Sequence, residues 1–112
     1  MAITYKILGQ KMSSVTTPAT TPVTVYTAGA QAVVSTITVC NQVSSGASYS
    51  VAVVPAATGS AVPLNYIVYN APIAGNDTTA LTLGITLATG DKIITYASTS
   101  TISFSAFGSE IA

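Results

Sequence analysis

Histidine, arginine and tryptophan are absent from this chain, and cysteine occurs once, at Cys40. Enzymes working near neutral pH rely on titrating acid–base groups, activated nucleophiles or metal ligands. Without histidine, Ser-His-Asp and Cys-His arrangements and histidine metal sites cannot be assembled. A single cysteine forms no internal disulfide. Cys40 lies in an apolar strand pattern with nothing to activate its thiol, so a buried small hydrophobe is expected there.

Charge is the next deficit. Only 5% of the 112 residues are charged, against roughly 25% in ordinary soluble domains. Lys6, Lys11, Asp77, Asp91, Lys92 and Glu110 sum to zero. Three scattered lysines form no basic stripe, which argues against nucleic-acid binding. Asp77, in GNDT, and Asp91, in TGDK, sit in turn contexts where Asp bonds backbone amides. Nothing in the pattern pairs them as glycosidase acids. A calcium site would need more clustered acids, and TAGAQA lacks the spacing and the lysine of a phosphate loop. No catalytic residue, metal site or cofactor is expected.

Long apolar runs are also missing. None approaches the ~20 residues of a spanning helix, so no membrane association is expected. The opening MAITYKILGQ does not read as a signal peptide, which predicts a protein made in the cytoplasm.

What remains is apolar and β-branched. Apolar residues make up 49% of the chain, enough to exclude the disordered class. Gly, Pro and Asn punctuate runs of Thr, Val, Ile, Tyr and Ser, the pattern of short strands. The first run is 3–8, where Ile3, Tyr5 and Ile7 alternate with Thr4 and Lys6 until Gly9. Residues 23–27, VTVYT, form the second. QAVVSTITVCNQ, 31–42, is the longest: Val33, Ile37 and Val39 share one face, while Val34 and Cys40 make the other apolar too. Such a strand is covered on both sides.

Tyr49, Val51 and Val53 alternate up to Pro55. In LNYIVY, 64–69, Leu64, Tyr66 and Val68 oppose Asn65, Ile67 and Tyr69. NAPIAGND follows as a turn cluster. Leu81, Leu83, Ile85 and Leu87 then alternate with threonines, and Gly84 interrupts the run, which predicts a strand to about Leu83 and a bend or bulge after it. KIITYA and TISFSAF complete the set, the latter with Ile102, Phe104 and Ala106 on one face. The expectation is an all-β, single-domain β-sandwich spanning 1–112, built from about eight short antiparallel strands and jelly-roll-like.

One segment breaks the pattern. QKMSSVTTPATTP, 10–22, is rich in Ser and Thr and carries Pro18 and Pro22, which favour extended backbone and remove ladder donors. It reads as an extended arm or connector. Lys11, Met12, Val15, Thr17, Pro18 and Pro22 are its candidate partner-contact residues. The tyrosines (Tyr5, Tyr26, Tyr49, Tyr66, Tyr69, Tyr96) fall mostly among apolar neighbours, which favours core or subunit interface over a sugar-binding face.

The segments YKILGQ, VYTAGAQAVVSTITVCNQ, APIAGNDTTALTLGITLATGDKI and FSAFGSEI together resemble small virion structural proteins of tailed bacteriophages, especially phages of aquatic bacteria, cyanobacteria included. The resemblance covers nearly the whole chain and carries no catalytic residues. It implies a β-sandwich virion component, without specifying head or tail. Small size, scarce charge and the extended arm make a capsid decoration (cement) protein the leading expectation: a homotrimer on the outer head surface, with the major capsid protein or other virion proteins as partners. A tail, fibre or baseplate component is the alternative. A carbohydrate-binding module using exposed tyrosines is a lesser one.

Overall fold

The computed structural model describes residues 2–13, 23–58 and 61–111. Among these residues eight strands form in chain order: β1 (Ile3–Met12), β2 (Val23–Thr27), β3 (Gln31–Asn41), β4 (Ala47–Val54), β5 (Tyr66–Ile73), β6 (Thr78–Leu87), β7 (Lys92–Ala97) and β8 (Ile102–Ile111). A 3-10 turn, Pro63–Asn65, precedes β5. Among the described residues, no helix is long and apolar enough to cross a membrane.

The strands pair antiparallel as nested partners: β1 with β8, β2 with β7, β3 with β6, and β4 with β5. Further pairing of β8 with β3 and of β7 with β4 closes two four-stranded sheets, ordered β1-β8-β3-β6 and β2-β7-β4-β5. One long hairpin of four strand pairs rolled up on itself gives this order, which is the jelly-roll arrangement of a β-sandwich. The fold class expected from the alternation is the one observed.

Between the sheets lies the main core. Phe104, Ile37, Ile93, Ile102, Val34, Val39 and Val51 are all fully buried there. Tyr49 meets Phe104 edge-on at 6.5 Å. At one end, buried Asn41 ties loops together: its amide donates to the carbonyls of Ser45 (2.9 Å) and Ala74 (3.3 Å), and its Oδ1 accepts from Val43 N–H. The turns use the acids as expected. Asp77 Oδ1 accepts the Thr78 amide at 2.8 Å, and Asp91 accepts the amides of Ala56 and Ala88. Those two amides hold the Asp91 carboxyl below its ordinary range.

A line of bulges crosses the first sheet. The register slips past Leu8 in β1, between the partners Phe107 and Ala106 of β8, and past Ser35 in β3 and Leu83–Gly84 in β6, level with Phe107 and Gly108. The bend expected at Gly84 is part of this line. It also changes which residues of β3 face inward. Ala32 and Val34 are buried before the bulge, Ile37 and Val39 after it, because one extra residue reverses the alternation. Val33 therefore does not share a face with Ile37 and Val39. Cys40 stands opposite Ser103 on the outer face and is only half-buried, so it is no core residue.

Element boundaries also differ: β6 continues past Gly84 to Leu87 and β8 runs on to Ile111. β1 continues through Gly9 to Met12, because a bulge absorbs the irregularity and the ladder to β8 resumes. Leu64 sits in the 3-10 turn and is 91% exposed. Residues 70–73, expected as a turn, extend β5, an edge strand where Pro72 need not donate to a second neighbour.

Candidate functional site

Side chains alternate across a strand, so the register assigns each outward residue of the first sheet. Four cross-strand rows lie on that outer face: Tyr5–Ser109–Val33–Thr86, Ile7–Phe107–Thr36–Thr82, Gln10–Ser105–Thr38–Ala80 and Met12–Ser103–Cys40–Thr78. None of these residues is charged. The first two rows, with Ile3 beside Ile111, make an apolar strip in which Tyr5 is 82% exposed and Ile3 and Ile7 are each 55% exposed. The other two rows carry short polar groups, and Gln10 Nε2 donates to Ser105 Oγ at 3.3 Å.

The ionic groups are placed elsewhere. Lys6 and Glu110 alternate away from the outer face and pair at 2.6 Å, and Tyr26 of the second sheet donates its hydroxyl to Glu110 at 2.5 Å. Lys6 and Tyr26 together hold the Glu110 carboxyl below its usual range. Burial, and then Glu110 itself, push the Tyr26 phenol well up. This link clips the two sheets at one end of the sandwich.

The sheets differ at their edges. β1 and β6, the edges of the first sheet, are ten residues each. In the second sheet, β2 has five residues and a register shift, and β5 carries Asn70 at φ +48° together with Pro72. Bulges, lysine and proline all oppose pairing of an edge with other chains. Both sheets carry bulges at their edges, so the first sheet differs from the second in the greater length of its edge strands and in their lack of proline.

Of the expected contact residues, Lys11 and Met12 lie at the end of β1, exposed and paired with Phe104 and Ser103. Ser13 then anchors the strand end: it is buried, and its hydroxyl donates to Thr99 O at 2.6 Å. Val15, Thr17, Pro18 and Pro22 fall outside the described residues.

The outer face of the second sheet holds a feature that alternation conceals. Ala52, Val54 and Ile94 form a small second core there, flanked by Tyr66, Tyr96 and Ala61. Tyr66 packs edge-on against Tyr69 with ring centroids 5.1 Å apart, and lies 6.0 Å from Tyr96. The alternation of LNYIVY predicts Tyr66 and Tyr69 on opposite faces. They meet because β5 slips register twice against β4, past Ile67 and past Tyr69–Asn70. Ser50 is buried opposite the second slip, and its hydroxyl accepts the Asn70 amide at 2.9 Å. Asn70, a residue tolerant of positive φ, is the one local signal of that bulge in the sequence.

The three tyrosines border a cleft of about 260 Å³, completed by Tyr49, Ala97 and the polar residues Ser48, Ser50, Asn70 and Ser98. Burial, and then the Tyr96 hydroxyl, push the Tyr66 phenol up to about 12. As for metal chemistry, no three Cys, Asp or Glu side chains converge among the described residues.

No protein-family model matches this chain, and no curated protein matches it. Solved structures of similar fold do exist. A chain in the structure of infectious bursal disease virus, Gx strain, superposes with a TM-score of 0.52 at 11% identity, over 96% of this chain and 31% of that one. For the Gt strain the TM-score is 0.51 at 13% identity, over 96% of this chain and 32% of the other. The present chain thus spans under a third of the viral chains it resembles. At such identities the likeness is one of fold. It agrees with the jelly-roll strand order derived above.

Proposed function

We propose that this protein is a structural component of a virion: a capsid decoration protein, non-enzymatic, that sits on the outer surface of a head as a homotrimer and stabilises the shell. The observation that carries this reading is the outer face of the first sheet. It is free of charge over four strands and bears an apolar strip of Ile3, Tyr5, Ile7 and Phe107. Such a face desolvates at low cost when a flat protein surface covers it. A jelly roll whose fold recurs in chains of a virus structure supports the same reading.

Bridging capsid subunits adds binding free energy to the assembled shell through mass action. The major capsid protein is the proposed partner, with Lys11 and Met12 at the exposed end of β1 supplying further contacts. Nucleic acid is no part of this reading, since three lysines provide no phosphate-binding surface.

The test is reconstitution. Purified protein added to particles stripped of it is expected to co-sediment with them in hundreds of copies and to raise the temperature at which they disassemble. Phe107→Lys and Tyr5→Lys, each placing a charge on the outer face, are expected to abolish co-sedimentation while leaving the isolated fold intact. A few copies confined to the tail would replace this reading with that of a tail component. Binding indifferent to both substitutions would remove the proposed face.

A further inference from the structure

The tyrosine cleft is on the side of the sandwich opposite the uncharged face, so its use is independent of the virion reading. Its chemistry narrows the ligand. No charged side chain lines it, so an ionic ligand would be desolvated without a counter-charge. A purely aliphatic ligand would leave the hydroxyls and the amide of Ser48, Asn70 and Ser98 without partners. Ser98 Oγ already accepts the Ser48 amide at 2.9 Å, which leaves its own hydrogen free to donate. Tyr69 is 69% exposed and offers ring surface to solvent. A second cleft of about 460 Å³, bordered by Ala61 and Pro63, adjoins the first through Tyr66 and Tyr69.

Aromatic surface beside neutral hydroxyls and an amide matches one class of small molecule: a ring with apolar C–H faces and hydroxyls around its rim. We propose that the cleft formed by Tyr66, Tyr69 and Tyr96 binds a neutral saccharide, stacked on Tyr69 and hydrogen-bonded at its rim by Asn70 and Ser98. The adjoining cleft gives room for a second ring, so a disaccharide binds more tightly than its monosaccharide.

NMR titration of the full chain with methyl glucoside, methyl galactoside, methyl mannoside, N-acetylglucosamine and lactose tests this. At least one probe is expected to give saturable shifts at the cleft residues below about 10 mM. Tyr69→Ala is expected to weaken that binding at least about tenfold. Asn70→Gly, which keeps the positive φ and removes the amide, does the same and serves if Tyr69→Ala misfolds. Absence of saturable shifts from every probe overturns the proposal, as does binding that survives both substitutions. Preference for sialyllactose over lactose would overturn the neutral class. A proline-rich peptide that saturates the cleft where the sugars do not would replace saccharide with peptide.

Discussion

Tyr66 and Tyr69 stand edge to face with ring centroids 5.1 Å apart, although they are three residues apart in one strand. A regular strand would place them on opposite faces. The double register slip of β5 against β4 brings them together, and Asn70 at φ +48° with the Ser50 hydroxyl holds the second slip in place. The cleft therefore depends on backbone geometry as much as on its rings.

Asn70→Val is accordingly expected to cost about 1–2 kcal/mol, since a β-branched residue resists the left-handed region. Asn70→Gly should leave stability nearly unchanged. Urea denaturation of the two variants checks this, and equal losses in both would show that the bulge does not depend on that conformation.

The Tyr66 phenol, pushed up to about 12 from an ordinary 10.0, links stability to alkaline pH. Unfolded chains lose this proton near 10 while the folded protein holds it. The contribution is therefore complete below 10 and is lost as pH rises from 10 to about 12. Phenolate absorbance followed through an alkaline titration should show two late-titrating tyrosines, Tyr26 and Tyr66, and Tyr66→Phe should remove one of them. Tyr66→Phe should also flatten the fall in melting temperature across that interval.

Asn41 is buried at the end of the sandwich where three loops meet. Asn41→Leu keeps the volume but strips the carbonyls of Ser45 and Ala74 of a donor, at an expected cost of about 2–4 kcal/mol. Thermal unfolding measures it. A melting temperature within a degree or two of the parent would mean that water replaces the amide.

Two glycines on the bulge line separate space from conformation. A Cβ at Gly108 would collide with the Val33 carbonyl, whereas one at Gly84 meets nothing within 4 Å. Gly108→Ala is expected to destabilise by at least about 2 kcal/mol, because strand backbone must move apart. Gly84→Ala should change stability by less than about 1 kcal/mol. Paired denaturation curves distinguish them, and similar curves for both would contradict the close approach of β8 and β3.

The all-β class, the positions of most strands, the bulge at Gly84 and the turn roles of Asp77 and Asp91 could be read from the sequence. These follow from local chemistry: β-branched alternation, glycine in a strand, and acids next to backbone amides. The absence of histidine and the scarcity of charge likewise restricted the function before any fold was known. What local chemistry could not supply was phase. A single extra residue at Ser35 puts Val33 on the same outer face as Cys40, and the slips in β5 unite Tyr66 with Tyr69. Bulges form where neighbouring strands must stay in register across a whole sheet. They are decided by partners far along the chain, such as β8 for β3 and β4 for β5, and so the uncharged face and the tyrosine cleft exist only in the tertiary structure.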